Sequence, residues 1–201
     1  MSPNASLAID GAFLVTSRGR HRASLYVQNG QIFGASTETL PAATRVEAGG
    51  LLLVPGFVDT HVHLMEPAES EREDWAHGTA AAASSGVTTI IEHTHAAPIR
   101  SVDNLDEKRT YVSERSLVDF GLAAHAWQNS VGQVEELWRA GVAFIKVFTC
   151  PTHGIPGFES GPLLDLLREV AHRRALLEAT TTTCPANLPS TPAPPQYQRR
   201  V

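Results

Sequence analysis

The chain has 201 residues, 42% of them hydrophobic, and carries a formal net charge of −5. This composition is typical of a globular protein and excludes a wholly disordered chain. No apolar run approaches the length of a membrane span, and lysine and arginine form no dense stripe, so neither a membrane nor nucleic acid is an expected partner. Two cysteines make no disulfide framework, and residues 1–11 lack a signal-peptide pattern, so we expect a cytoplasmic protein.

The first 53 residues predict a small all-β unit. Short apolar runs alternate with Asp10-Gly11 and Asn29-Gly30, dipeptides that are typical of tight hairpin turns. The strands are predicted at 7–9, 12–16, 24–28, 31–34 and 51–54. We therefore expect two hairpins here, one at each dipeptide.

From Pro55 onward, strand and helix patterns alternate four times. Strands are predicted at 57–63, 87–92, 120–127, 143–149 and 175–179, and helices at 74–85, 101–117, 131–140 and 161–174. The strands are apolar nearly throughout, which is typical of a parallel sheet covered by helices. In the last helix, an apolar stripe at Leu163, Leu164, Leu167 and Val170 predicts the buried face.

The end of the chain has a different composition. A threonine run at 180–183 precedes five prolines within the last 17 residues. Such a density of proline prevents regular structure, and we expect a disordered tail over 180–201.

The segment Asp59-Thr60-His61-Val62-His63 carries the first chemical signal. Residues two apart on a strand point to the same face, so His61 and His63 should project together as a pair of metal ligands. Asp59 is placed to orient them. The alternative is two ordinary histidines near a loop.

Lys146 is the second signal, because it is one of only two lysines and lies within the apolar run 142–148. A buried lysine tends to lose its proton, and a neutral amine can react with carbon dioxide to form an anionic carbamate. That group could bridge two metal ions. The alternative is a lysine whose ammonium reaches solvent at the end of the strand.

Further histidines follow the predicted strand ends, where the active sites of parallel barrels form. His93, His95 and His125 are candidates for a substrate pocket, together with Met65. Packing beneath a loop is an equally good interpretation of His93 and His95. The acidic run from Glu66 to Asp74 is predicted to be a solvated loop that leads into a helix.

Taken together, these segments resemble the amidohydrolase superfamily, in its cyclic-amide branch of dihydroorotases, allantoinases and hydantoinases. The resemblance runs from about residue 9 to about residue 175. The opening strand motif of the superfamily is resembled by Val54-Pro55-Gly56-Phe57-Val58-Asp59-Thr60-His61-Val62-His63. The cyclic-amide branch is resembled by Leu64-Met65-Glu66-Pro67, Glu73-Asp74, Gly78-Thr79-Ala80-Ala81-Ala82 and Gly86-Val87-Thr88-Thr89. The segment that bears its carboxylated lysine is resembled by Phe144-Ile145-Lys146-Val147-Phe148.

The resemblance implies a fold and a chemistry. Residues 1–53 would be part of a small β-sandwich, and 54–179 the first half of a (β/α)8 TIM barrel. His61 and His63 would bind the more buried zinc ion, and carboxylated Lys146 would bridge two. Activated water would then attack the carbonyl of a small cyclic amide or ureide. Full-length relatives are commonly oligomers, so a homo-oligomer is a further expectation.

Departures from the family pattern limit these expectations. Dihydroorotases carry an arginine where this chain has Leu64 and Met65, so allantoin-like or hydantoin-like rings are the better expectation. The later histidine ligands and the general-base aspartate are absent, so the catalytic base is unknown. We therefore expect a C-terminally truncated chain that either retains hydrolysis or is a non-catalytic remnant.

Overall fold

A computed structural model describes residues 5–129, 131–152, 154–173 and 175–180. The chain divides between Gly56 and Phe57 into two compact units. The predicted disordered tail lies outside the described residues, apart from Thr180. No helix in the described ranges has the length and apolar character needed to cross a membrane.

The first unit is a five-stranded mixed sheet built around its longest strand. The strands are β1 (Ala5–Thr16), β2 (Gly19–Gln28), β3 (Gln31–Ser36), β4 (Ala42–Glu47) and β5 (Leu52–Leu53). β1 pairs antiparallel with β2, which pairs antiparallel with β3, and β1 pairs parallel with both β4 and β5. β4 was not predicted from the sequence.

Of the two predicted hairpins, one is present and the other is wrong. Asn29 and Gly30, with φ of 53° and 75°, form the two-residue turn between β2 and β3. Asp10-Gly11 instead lies within the continuous strand β1, where the register with β2 shifts. Gly11 has φ +68°, so it supplies a β-bulge and not a turn.

The second unit alternates strands and helices as the sequence predicts. Its strands are β6 (Phe57–Val62), β7 (Val87–Glu92), β8 (Asp119–Leu122), β9 (Ala124–His125), β10 (Ile145–Phe148) and β11 (Leu177–Thr180). Its helices are α1 (Trp75–Ser84), α2 (Val102–Ser113), α3 (Val134–Arg139, preceded by a 3₁₀ turn) and α4 (Ser160–Arg173).

All pairings between strands of this unit are parallel. β6 pairs with β7 and β7 with β8, while β9 pairs with β10 and β10 with β11. The predicted strand 120–127 is interrupted at Ala123, whose N–H bonds the carbonyl of Glu92. The described strands of this mixed α/β unit thus form two three-stranded parallel sheets, β6-β7-β8 and β9-β10-β11, each in chain order.

Buried apolar side chains show how the helices pack against the strands of this unit. One hydrophobic core includes Trp75 from α1, Leu105 from α2, Leu137 from α3 and Leu166 from α4. The predicted stripe of α4 is wrong in part, because Leu164 and Leu167 are exposed whereas Leu166 and Val170 are buried. The run Leu163-Leu164-Asp165-Leu166-Leu167 offers two overlapping stripes, so periodicity alone could not select the buried one.

A buried ion pair joins α2 to the end of β7. Lys108 Nζ lies 2.6 Å from Glu92 Oε2, and the backbone N–H of Thr94 donates to Glu92 Oε1 at 2.7 Å. Both side chains are almost fully buried. Desolvation raises the pKa of Glu92 above its usual value, and the neighbouring ammonium opposes that rise.

Breaking this pair should destabilise the fold strongly. Lys108→Met would leave an uncompensated buried carboxylate, which costs about 3–5 kcal/mol of unfolding free energy. The double variant Glu92→Met/Lys108→Met should recover most of that loss, as measured by urea denaturation. Arg139→Met, which removes an exposed ion pair with Glu135, is the control, and a loss in Lys108→Met no larger than in this control would contradict the prediction.

Candidate metal centre

The carboxyl ends of the parallel strands bring together six side chains that can bind or carry charge. β6 contributes His61 and the residue after its end, His63, and His93 follows β7 directly. From the other side come His125 of β9, Lys146 of β10 and Glu178 of β11, which are aligned by register because Lys146 pairs with both neighbours. These chemical groups, supplied by two separate parallel sheets, therefore converge in one cluster.

Three imidazoles form the centre of this group. One ring nitrogen from each of His61, His63 and His93 lies within 4.8 Å of the others. His63 Nε2 is 3.2 Å from His93 Nδ1, and the His61 and His93 rings meet edge to face at 4.4 Å. His61 and His63 were predicted to be a ligand pair, whereas His93 was assigned to the substrate pocket; the structure places all three together.

Lys146 approaches the same group from β10. Its side chain is buried, with 1% of its surface exposed. Its Nζ donates to Glu178 Oε1 at 2.8 Å, and His61 Nδ1 lies 2.8 Å from that same oxygen. One carboxylate oxygen therefore links the predicted lysine to the predicted histidine pair.

The electrostatics of the cluster favour neutral imidazoles. Burial, followed by the nearby charges of His61, His95 and Lys146, lowers the pKa of His63 to about 4. Burial and Lys146 also hold the pKa of His93 well below its usual value. Neutral imidazole is the form that binds metal, so these rings need to release no proton on metal binding near pH 7.

The donor set fits a zinc-like cation. Two ligand atoms on a tetrahedral zinc ion, each about 2.0–2.2 Å from it, lie roughly 3.3–3.6 Å apart. The three imidazole nitrogens all lie within 4.8 Å of one another, so small side-chain rotations would bring them to that spacing. In addition, His93 Nε2 is buried without a hydrogen-bond partner among the described residues, which is costly unless another group binds it.

The remaining predicted residues surround the cluster. Asp59 Oδ1 accepts from the backbone N–H of His61 at 3.0 Å, so it contacts the main chain of that histidine. His95 packs against His63 with ring centroids 5.5 Å apart. Met65 is buried, and its sulfur accepts a hydrogen bond from Thr94.

His125 lies beneath His93. Its Nε2 donates to the carbonyl of His93 at 2.9 Å, and burial lowers its pKa to about 4. The donor role at Nε2 follows from the partner, because a carbonyl oxygen can only accept. His125 is thus positioned to hold the backbone of His93 and not to contact the other imidazoles.

Comparisons with known proteins agree with this geometry. Residues 52–146 match the amidohydrolase family model. The chain is 33% identical over 179 residues to an allantoinase of Deinococcus radiodurans, covering 87% of this chain and 40% of that protein. A dihydroorotase of Methanosarcina acetivorans is 29% identical over 158 residues, covering 77% of this chain and 34% of that protein.

The chain belongs to the amidohydrolase family. Among solved structures, it is similar to the L-hydantoinase of Arthrobacter aurescens, with a TM-score of 0.82 and 26% identity. That match covers 87% of this chain and 40% of the hydantoinase. This amidohydrolase chain thus spans about 40% of the length of the allantoinase and hydantoinase it matches, and the resemblance found in its sequence is confirmed at the level of the family.

Sequence reasoning missed two carboxylates of this amidohydrolase. Glu178 lies in the predicted strand 175–179 and was assigned no role, although a charged residue within an apolar strand was itself a signal. Glu66 was placed in a solvated loop, yet it is buried and accepts hydrogen bonds from the N–H of Trp75 and the hydroxyl of Tyr111.

The role of His125 can be tested by stability. His125→Phe removes the donor to the His93 carbonyl, and leaving that buried acceptor unpaired should cost about 1–3 kcal/mol of unfolding free energy. His125→Gln, whose side-chain amide can reach a similar point, should lose less. His172→Phe on the exposed face of α4 is the control in the same denaturation series. Equal stability of the Phe and Gln variants at 125 would remove the hydrogen bond as the explanation.

Proposed function

We propose that this chain carries the metal-binding part of a hydrolase that acts on C–N bonds of small cyclic amides or ureides. The observation that supports the proposal best is the convergence of His61, His63 and His93 beside buried Lys146 at the carboxyl ends of parallel strands. The relatives are named allantoinase, dihydroorotase and hydantoinase, and each name is an activity on such a ring.

The strand arrangement supports a finer structural proposal. Residues 54–179 would be the first half of a (β/α)8 barrel, since the two sheets β6-β7-β8 and β9-β10-β11 are each parallel and in chain order. Residues 1–53 would belong to a small β-sandwich. The catalytic edge would then be the one that carries His61, His63 and Lys146.

The residues divide the work as follows. The imidazoles of His61, His63 and His93 would hold the cation, for which zinc is our proposal. A cation held there would polarise a carbonyl and lower the pKa of water toward neutrality. The Nζ of Lys146 would react with carbon dioxide to form an N–C bond. Overall, the lysine ammonium would release two protons and become a carbamate, whose single negative charge is shared by two oxygens.

Substrate preference is proposed on the allantoinase and hydantoinase side. Leu64 and Met65 occupy the stretch where dihydroorotases carry an arginine, and both are buried and apolar. Neither side chain can neutralise a carboxylate on the substrate. Met65 and His95 would line the pocket beside the metal ligands.

A metal titration with a turnover assay tests the core proposal. The purified chain should bind zinc or cobalt stoichiometrically, and alanine at His61, His63 or His93 should weaken binding at least tenfold, while His172→Ala should not. Hydantoin and allantoin should be opened faster than dihydroorotate. A chain that binds no metal would support the alternative, a non-catalytic remnant, and overturn the proposal. Stoichiometric metal without turnover would confine it to metal binding.

Carboxylation of Lys146 has its own test. With ¹³C-labelled bicarbonate, the zinc-loaded chain should show a carbamate carbon resonance that is absent in Lys146→Arg. Lys108→Arg retains the cation beside Glu92 and should keep the resonance. A carbamate signal that persists in Lys146→Arg, or is missing from the zinc-loaded chain, would refute this role.

A further inference from the structure

Among the described residues, Glu178 pairs its carboxylate with both Lys146 and the imidazole cluster. Its Oε1 lies 2.8 Å from both His61 Nδ1 and Lys146 Nζ. Its Oε2 lies 3.7 Å from His93 Nε2. From β11, the side chain of Glu178 therefore reaches His61 of β6 and His93, which follows β7. β11 pairs with neither β6 nor β7.

The separation between Glu178 and His93 is informative. At 3.7 Å it is too long for a hydrogen bond, and His93 Nε2 is a buried nitrogen without such a bond among the described residues. Yet 3.7 Å is close to the roughly 3.3–3.6 Å that separates two ligands of one tetrahedral zinc ion. The two atoms are therefore too far apart to satisfy each other and close enough to share a cation.

Charge leads to the same assignment. Imidazole ligands supply no negative charge to offset a divalent cation, whereas a glutamate carboxylate supplies one. In the structure, the Glu178 carboxylate forms an ion pair with Lys146. A divalent cation between Glu178 and the histidines would give this carboxylate a further positive partner.

We propose that Glu178 is a metal ligand of this chain, supplied by β11 and acting with His61 and His93. The inference rests on the metal centre of the proposed function and extends it. It assigns to β11 a carboxylate donor.

Three substitutions at one position separate a ligand from a simple ion-pair partner. Glu178→Gln keeps the shape but loses the charge, and it should weaken zinc binding at least tenfold in competition with a chromophoric chelator. Glu178→Asp and Glu178→His both retain a metal-binding atom and should bind more tightly than the Gln variant. The cobalt(II) visible spectrum should also change in Glu178→His, because a nitrogen would replace an oxygen donor.

The control is Glu47→Gln, the same chemical change on an exposed strand residue of the first unit, and it should leave affinity and spectrum unchanged. Circular dichroism of each metal-free variant establishes that it is folded, and the Asp and His variants keep the test decisive if the Gln variant unfolds. Equal affinity of the Gln, Asp and His variants with the unaltered chain would overturn the ligand role alone. Failure of the unaltered chain to bind metal would overturn the metal centre and this inference together.

Discussion

Parallel pairing of β9, β10 and β11 places His125, Lys146 and Glu178 side by side, in register across the three strands. Since neighbouring parallel strands run in the same direction, residues in register emerge at the same level, and their ends form one edge. The ends of β6 and β7 bring His61, His63 and His93 to that level from the other side. The contacts of Glu178 with Lys146 and with the imidazole cluster depend on this constraint.

The buried charges around the edge form two separate pairs. Lys108 of α2 pairs with Glu92, the residue immediately before His93, and His125 donates a hydrogen bond to the His93 carbonyl. These two contacts hold the backbone that carries the His93 imidazole. Lys146 and Glu178 form the second pair within the cluster itself. The first pair is remote from the imidazole nitrogens and maintains the fold, whereas the second involves groups that a cation would reorganise.

Much of this architecture could be predicted from sequence, because the second unit follows the periodicities of buried strands and covering helices. β7 matches its predicted bounds, and Asp74 caps α1 by accepting from the N–H of His77. Predictions from local sequence patterns were wrong where the same pattern is compatible with two local structures. Asp10-Gly11 serves a bulge as readily as a turn, and the leucine-rich segment of α4 offers two faces.

The candidate site was predictable where strand alternation decides direction, as for His61 and His63. It was not predictable where a side chain depends on a distant partner. Glu66 is buried because Trp75 and Tyr111 supply donors, and Glu178 reaches the cluster because β11 is in register with β10. No local sequence pattern encodes contacts over such separations along the chain.

Both lysines of this chain are buried, and each is bonded to a glutamate. There is consequently no solvent-exposed lysine to compete for small electrophiles. For such a reagent, the intrinsic nucleophilicity of the amine matters less than how often its ion pair opens, because the amine must separate from its carboxylate and lose a proton before it can react. The rate at which either lysine reacts is therefore limited by the opening of its ion pair with Glu92 or Glu178.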